Sequence, residues 1–280
     1  MKQLLTCVIS AIVNIPVLRR VFWLPFHRAV QSAFAVADYQ MLRDPRPVAE
    51  LAKEISPDLR VVNGVFAGMR QPTTESLGSP LLPRLVGAYE AELHWIFSDE
   101  NSSSYNTLVD VGCAEGYYAV GLALRWPHVQ VVAYDVDPRA RALCQNMAEL
   151  NGVGGRVTVR SFCTAGDLIS LRPDGRALII MDCEGYEKSL ITPAVAMARH
   201  GDDFLIEIHD CVDPSISSGI LAVLNQTHEV KTITSVPDRQ RPFVWGHLPG
   251  VSGRPYSFQY TALAEVRPGI MQWFWCRSRG

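Results

Sequence analysis

The 280-residue chain has a formal net charge of -2 and a pI near 6.4, with 48% hydrophobic and 19% charged residues. This composition excludes a disordered or low-complexity chain and predicts one folded domain, with or without an extension. The near-neutral charge offers no broad basic surface, so nucleic acid is not an expected partner. The seven cysteines are scattered and contain no CxxC pair, which predicts reduced thiols and a cytoplasmic location.

The N-terminal 30 residues are apolar and basic, with no acidic residue before Asp38. The apolar run from Leu4 to Leu18 is shorter than the roughly 20 residues that a membrane-spanning helix needs, and no small-residue cleavage site follows it. Three interpretations stay open: a packed or capping helix, a helix that contacts a membrane surface or a partner protein, and a signal peptide.

Residues 1–105 are predicted to form a helical extension or cap. Pro-containing segments separate its candidate helices, which lie near 3–14, 28–42, 47–55 and 80–98. The polar segment 99–104 marks the expected boundary with a second domain, residues 106–280.

In the second domain, short β-branched runs alternate with helical stretches, which is typical of βαβ units and a parallel sheet. The first five strands are expected at Thr107–Val111, Val129–Tyr134, Arg156–Ser161, Ala177–Met181 and Phe204–Ile208. Helices are expected near 116–125, 138–151, 187–199 and 215–227. The last two strands are expected at Glu229–Val236 and Met271–Cys276. The pattern predicts an α/β, Rossmann-like fold with a seven-stranded, mostly parallel sheet and helices on both faces.

The turn after the first strand is the predicted cofactor site, because ligands of open parallel sheets bind beyond the carboxyl ends of the strands. Gly112 and Gly116 allow a sharp turn and a close approach to a ligand. Their GxxxG spacing differs from the GxGxxG of dinucleotide folds, and Asp110 precedes it. A carboxylate there would repel a pyrophosphate but attract the ammonium group of an aminoacyl sulfonium. The turn therefore favours S-adenosylmethionine, with S-adenosylhomocysteine as product, over NAD, although strand-to-helix packing also explains such a turn taken alone.

The ends of the second and third strands supply the other predicted cofactor contacts. Asp135, with Val136 beside it, could accept hydrogen bonds from both ribose hydroxyls. Asp137 is the competing ribose ligand, and an aspartate after a strand is also a common helix cap. Cys163 and Thr164 are expected near the adenine edge, where ordinary turn packing would also explain them.

Three segments together resemble the FkbM-type methyltransferases. In that family Gly-Tyr-Tyr follows the first turn, Asp-x-Glu-Gly-x-Glu follows the fourth strand, and Glu-x-His closes the fifth. The matching segments are Asp110–Tyr118, Met181–Glu187 and Ile206–His209, within roughly residues 107–210. The resemblance implies a class I methyltransferase fold and S-adenosylmethionine-dependent O-methylation, commonly of hydroxyls on sugars or natural products.

The resemblance also implies cofactor contacts by Cys113, Glu115, Tyr117 and Asp182. The run from Cys113 to Glu115 departs from the small polar residues usual in the family, which puts the contacts at the methionine end in doubt.

An upstream segment, similar to the lead-in of some bacterial members, places Tyr89 and Glu90 where they could close over the cofactor. The alternative is a surface helix with Glu90, Glu92 and His94 facing solvent.

A hydroxyl acceptor benefits from a general base, and His209 at the end of the fifth strand is the best candidate. Asp182 and Glu184 could orient it or bind acceptor hydroxyls. The alternative for His209 is a packed histidine bonded to a backbone carbonyl, and Asp210 is interpreted as a cap. No metal is predicted, although Asp182, His209 and Asp210 resemble the divalent-metal ligands of catechol-type methyltransferases, so metal-dependent methylation of a vicinal diol is an alternative.

The irregular segment 237–268 is the predicted acceptor-site insertion, because a long loop in a compact domain is usually functional. It could equally be a solvated loop or an oligomer contact, and a homodimer stays open. Its candidate residues, without individual roles, are Arg239, Arg241, Trp245, His247, Arg254 and Tyr256. The expected partner is a small-molecule or glycan acceptor, and the competing functions are a catalytically inactive cofactor-binding or interaction module and an NAD-dependent oxidoreductase.

Overall fold

A computed structural model describes residues 12–26, 29, 43–173 and 175–280. The chain divides into two compact units, Met1–Pro45 and Arg46–Gly280. The helices predicted near 3–14 and 28–42 lie mostly outside the described residues.

The described part of the first unit is a short helix, α1 (Pro16–Leu18), followed by π-helical turns at Arg19–Trp23. Val17, Phe22 and Phe26 expose most of their side-chain surface. Within the described residues, no helix combines the length and the apolar character needed to cross a bilayer. Membrane or partner contact through residues 1–30 stays a prediction.

The second unit is built on one seven-stranded sheet with the order β3-β2-β1-β4-β5-β7-β6. Strands β1 to β5 lie close to the predicted ranges. The strands are β1 (Thr107–Val111), β2 (Gln130–Tyr134), β3 (Val157–Arg160), β4 (Ala177–Met181), β5 (Asp203–Ile208), β6 (His228–Thr234) and β7 (Gln272–Ser278). β7 runs antiparallel to both of its neighbours, and the other strands are parallel to one another. The predicted Rossmann-like α/β fold with a seven-stranded, mostly parallel sheet is therefore confirmed.

The helices of the second unit are short apart from one of 13 residues. They are α2 (Val48–Ile55), α3 (Leu81–Val86), α4 (Asp99–Ser102), α5 (Tyr117–Arg125), α6 (Pro138–Leu150), α7 (Ala165–Ser170), α8 (Glu187–Leu190), α9 (Pro193–Ala198), α10 (Ile216–Leu224), α11 (Arg241–Trp245) and α12 (Tyr256–Leu263).

The two faces of the sheet are buried under different helices. Because side chains alternate along a strand, Leu108 of β1 faces the core under α5 and α6, whereas Val109 and Val111 face the core under α8 to α10. Burial on both faces explains the continuous apolar runs that predicted parallel strands. Each strand therefore presents its carboxyl end, and not a face, to a ligand.

Residues 46–105 belong to the same compact unit as the sheet, in contrast to the predicted division near residue 105. Leu51 and Leu85 pack with Phe258 and Leu263 from beyond β6 in a third core, and Phe97 packs in the core under α5. This segment has no separate core of its own, which is why no boundary forms at the polar run 99–104.

Three predicted elements differ from the structure. The helix expected near 80–98 is α3 followed by a 3-10 helix, Ala91–Phe97, because Gly87 and Glu90 between them adopt left-handed backbone conformations. The helix expected at 187–199 is broken into α8 and α9, where the Thr192 side chain caps α9 at its Pro193 start. The segment predicted to be irregular contains α11 and α12.

Candidate cofactor and active site

A cleft of about 470 Å³ opens at the carboxyl ends of β1 to β4. The strand order reverses beside β1, since β2 and β3 lie on one side of it and β4 on the other, and ligands bind at such a switch point. The volume lies within the range usual for small-molecule sites. Its lining includes all but three of the residues predicted to bind a cofactor: the exceptions are Glu90, Gly116 and Thr164.

The first turn of the cleft is held by backbone contacts that only glycine permits. Gly112 has φ +87, and a Cβ on it would lie 1.7 Å from the carbonyl oxygen of Asp182. Gly116, which begins α5, has φ +92 and lies against Cys144, so it supports the turn without lining the cleft. The close approach of Gly112 to Asp182 brings the turn and the end of β4 into one site.

Three residues that line the cleft have a buried polar atom without a partner among the described residues: one carboxylate oxygen of Asp110, one of Glu115, and the Tyr117 hydroxyl. Burial raises the pKa of Asp110 to about 7, while a hydrogen bond from the Ala119 amide opposes that shift. A buried carboxylate without a partner is costly, and a ligand ammonium group would satisfy it. A ligand with both an ammonium and a carboxylate group could supply partners for Asp110 and for the Tyr117 hydroxyl.

The two aspartates after β2 have different contacts. Asp135 lines the cleft and accepts from the Ala114 amide at 2.9 Å and from the Asp137 amide at 2.8 Å, so both of its oxygens are fixed. Asp137 accepts from the Arg139 amide at the start of α6 and pairs with that side chain at 2.9 Å. Asp137 is therefore a helix cap, which leaves Asp135 as the candidate ribose ligand.

The end of β3 places only one of its two predicted residues in the cleft. Cys163 is buried and lines it, beside Phe162. Thr164 instead forms a capping box with Asp167 at the start of α7, so its hydroxyl serves the helix. Phe162 and Tyr186, whose ring centroids are 5.3 Å apart, give this end of the cleft aromatic walls.

Tyr89 lines the cleft, and its ring meets that of Tyr117 edge-on at 5.3 Å. Glu90 is fully buried, so the alternative of a solvent-facing helix is wrong. Its carboxylate contacts the Tyr118 hydroxyl and the Arg267 guanidinium. Burial raises the pKa of Glu90 to about 8. Glu90 thus lies outside the lining of the cleft and holds Tyr118, which is part of that lining.

Glu115 in the first turn has a structural contact besides its position in the cleft. Its carboxylate accepts from the Leu77 amide at 2.6 Å and pairs with the buried Arg84 at 3.1 Å. Glu115 thereby links the turn after β1, residues 112–116 (the cofactor turn), to the segment before α3. That segment supplies Gly78 and Ser79 to the lining of the cleft.

His209 lies at the end of β5 with carboxylates on both ring nitrogens. Nδ1 is 2.9 Å from Glu187, whose buried carboxylate fixes the ring orientation, in contrast to the backbone-bonded alternative. Nε2 is 3.6 Å from both Asp182 and Glu184 and 3.7 Å from Glu207.

The charged groups around His209 shift the ionisation of Asp182. Burial and the neighbouring Glu207 carboxylate raise the pKa of Asp182 well above its usual range. Glu184 has a left-handed backbone conformation, with φ 55, and its side chain is 82% exposed. Of the three residues predicted to be catalytic, Asp182 and Glu184 line the cleft, and the buried His209 lies 3.6 Å from both.

Asp210 lies apart from this group, because its carboxylate caps α10 through the Ser217 amide at 2.9 Å. This contact agrees with the interpretation of Asp210 as a cap. Asp210 is therefore removed from the alternative set of metal ligands, which named Asp182, His209 and Asp210.

The predicted acceptor insertion is more structural than expected. Arg241 is fully buried, donates to the carbonyl of Leu263 at 2.6 Å and pairs with Glu265. Arg254 pairs with Glu54 of α2. None of the six residues named for this segment lines the cleft, so none is placed near the cofactor turn.

Sequence reasoning missed several residues that shape the site. Glu187 and Glu207 lie inside the family-like motifs, so their contact with His209 could have been suspected. Leu77, Gly78 and Ser79 line the cleft without any motif to indicate it. Arg267, which contacts Glu207, lies at the end of the predicted insertion but was not among the residues named for it.

Comparisons with known proteins give a distant likeness. No protein-family model matches the chain, and no curated protein matches it. The O-methyltransferase TomG from Streptomyces achromogenes, which is involved in tomaymycin synthesis and was solved with SAM, is 12% identical over 89% of this chain and 96% of its own, with a TM-score of 0.47. Cofactor-bound Rv0187 from MTB is 13% identical over 73% and 89%, with a TM-score of 0.43. A provisionally identified O-methyltransferase from Klebsiella pneumoniae is 14% identical over 87% and 97%, with a TM-score of 0.46. Likenesses at this level carry no argument about activity, which has to be inferred from the site itself.

Proposed function

We propose that the chain is an S-adenosylmethionine-dependent methyltransferase that O-methylates a hydroxyl of a sugar or natural-product-like small molecule. The observation that carries the proposal is the unpartnered, buried carboxylate oxygen of Asp110 in the cleft at the switch point of the sheet. It suits the ammonium end of this cofactor and would repel the pyrophosphate of NAD, which disfavours an oxidoreductase. Asp135, at the end of the neighbouring strand, suits the ribose.

The acceptor is expected at the His209 end of the cleft. Methyl transfer requires acceptor oxygen, methyl and sulfur to lie in line, so positioning supplies much of the rate. Asp182 lines the cleft, so its carboxylate could meet a hydroxyl that approaches the methyl group, and His209 lies 3.6 Å from it. The acceptor loses its proton to this group of residues as the oxygen–methyl bond forms and the methyl–sulfur bond breaks.

Assignment to the FkbM-type family is part of the proposal. Its support is spatial: Asp182, Glu184 and Glu187 of one family-like motif meet Glu207 and His209 of the other. Segments separated by about 20 residues in the chain thus form one cluster, which is what a shared catalytic role would require.

Calorimetric titration of the full chain with S-adenosylhomocysteine and with NAD tests the cofactor. We expect binding of the former alone. Asp135→Asn should weaken it by about 1.5–3 kcal/mol, because charge-assisted hydrogen bonds to the ribose become neutral ones. Asp137→Asn is the matched control two residues away, and its affinity should stay unchanged. Equal losses in the two variants would contradict the ribose assignment.

Transfer of a labelled methyl group to hydroxylated sugars and polyols tests the activity. Asp182→Asn should abolish transfer and leave S-adenosylhomocysteine affinity within a few fold. Cofactor binding without transfer to any acceptor would favour the alternative of an inactive cofactor-binding module.

A further inference from the structure

Four carboxylate side chains surround His209 at the end of β5. Asp182, Glu184, Glu187 and Glu207 all lie within 3.7 Å of its ring nitrogens. The cation that contacts this group is Arg267, which pairs with Glu207 but also with Glu90 and Glu265. Buried carboxylates are costly unless a cation compensates them, so this end of the cleft is suited to a positively charged ligand.

The geometry of the cluster distinguishes the two ring nitrogens. The short contact of Nδ1 with Glu187 places a proton on Nδ1, so a neutral His209 ring offers its lone pair at Nε2. His209 is buried, with only 4% of its surface exposed. Its Nε2 faces three carboxylates at 3.6–3.7 Å, distances that are too long for a hydrogen bond. A lone pair that faces carboxylate oxygens is unfavourable, so either a proton on Nε2 or a cation between Nε2 and these oxygens is needed.

We propose that Asp182, Glu207 and His209 Nε2 bind a divalent cation of the Mg²⁺ or Mn²⁺ type. One ligand atom from each residue lies within 4.8 Å of the others. Atoms bound to one Mg²⁺ at about 2.0–2.1 Å are at most about 4.0–4.2 Å apart. Nε2 lies 3.6 Å from Asp182 and 3.7 Å from Glu207, so both distances are within this limit. Two carboxylates and one imidazole form a hard ligand set that suits these ions.

The surroundings of the three ligands match those of metal sites. A ligating histidine usually donates its other N–H to a carboxylate, as His209 does to Glu187. Ligating carboxylates are themselves hydrogen-bonded, as Glu207 is by Arg267. Asp182 alone of the three lines the cleft, so an ion here would keep positions open towards the acceptor.

The catalytic role of this site rests on the proposed function. A cation at Asp182 would bind the acceptor hydroxyl and favour its ionised form. The proton would pass to the exposed carboxylate of Glu184, while the oxygen displaces the methyl group and the sulfur keeps the electron pair of the broken bond. His209 would then be a ligand and not the base.

Titration of the full chain with Mn²⁺, followed by the loss of the free-ion EPR signal, tests the site. We expect one ion per chain, displaced by Mg²⁺. His209→Ala and Asp182→Asn should weaken Mn²⁺ binding at least about ten-fold, and Glu187→Gln by about 10–100-fold. Asp210→Asn is the matched control, since this neighbouring acid caps α10.

The outcomes separate this site from the proposed function. Wild-type protein that binds no Mn²⁺ at 1 mM, or variants that all bind it normally, would overturn the metal site. S-adenosylhomocysteine binding without Mn²⁺ binding would leave the methyltransferase proposal intact and favour an acceptor with an ammonium group. Mn²⁺ binding that is lost in His209→Ala would support the metal site even if the chain binds no S-adenosylhomocysteine. In that case the methyltransferase proposal would be contradicted and the metal site would stand. If circular dichroism shows that His209→Ala does not fold, the Mn²⁺ affinity of Asp182→Asn decides the result, because the Asp182 side chain is partly exposed.

Discussion

At the scale of single residues, Asp110 shows how stability and ligand binding can oppose each other. It is buried, one of its oxygens has no partner among the described residues, and its pKa is raised to about 7. An aspartate whose pKa is raised on folding destabilises the folded state at neutral pH, because the unfolded chain ionises it more easily. Such a cost is expected where a ligand supplies the missing partner.

Asp110→Asn should therefore raise the Tm at pH 7.5 and weaken S-adenosylhomocysteine binding. In the wild type, the ligand ammonium group favours the ionised carboxylate, so affinity should rise about ten-fold between pH 5.5 and 7.5 as Asp110 loses its proton. The Asn variant should show a flat profile over this range. Calorimetry at four pH values checks both effects, and an unchanged slope in the variant would remove Asp110 from the cofactor site.

Gly112 permits the contact between the cofactor turn and the end of β4. Gly112→Ala adds a Cβ at a left-handed φ and against the Asp182 carbonyl. The matched change is Gly152→Ala, since Gly152 has φ +72 but no atom within 4 Å of the added Cβ. Gly152→Ala should lower the free energy of unfolding by about 1–2 kcal/mol from strain alone, and Gly112→Ala by more than about twice that amount. Urea denaturation measures both, and equal losses would contradict the close approach.

At the scale of elements, the segment with α11 and α12 packs against α2 and α3 in one core. Arg241 is buried among Ala88, Glu265 and Leu263, and its guanidinium lies 4.4 Å from the Trp245 ring centroid. The predicted acceptor-site insertion therefore also stabilises the fold.

Arg241→Met should lower the free energy of unfolding by about 3–5 kcal/mol, because it leaves buried carboxylates without their cation. Arg254→Met in the same segment should cost only about 0–1 kcal/mol, since Arg254 is a partly exposed member of an ion pair. Neither change should alter the S-adenosylhomocysteine affinity of the folded protein. Chemical denaturation and calorimetry test these expectations, and weaker cofactor binding in folded Arg241→Met would show that the segment contributes to the site.

At the scale of the whole molecule, the cores and the cleft all lie within the unit Arg46–Gly280. Residues 46–280 expressed alone should therefore fold cooperatively and bind S-adenosylhomocysteine as the full chain does. A fragment of residues 106–280, which follows the predicted boundary, should fail to fold because Phe97 and Leu85 leave its cores. Thermal unfolding of the two fragments is the measurement, and a stable 106–280 fragment would contradict the single-unit description.

The sequence by itself determined the sheet and the glycine turn that follows β1. Strands and glycine turns are written in local patterns: runs of buried β-branched residues, and glycines after a strand where the backbone must adopt a positive φ. Asp110 and Asp135 could be placed at the ligand end for the same reason, since parallel strands present their carboxyl ends together.

Only the tertiary structure decided which polar groups are buried and what they face. The sequence was compatible with Glu90 and Arg241 lying on the surface. Both are instead fully buried, in ion pairs with residues that are distant in the chain. His209 and Asp182 were predicted together, but the roles of Glu207 and Asp210 depend on which way each side chain points at the end of β5. The physical reason is that electrostatic partners are selected by distance in space, and local sequence patterns carry no record of it.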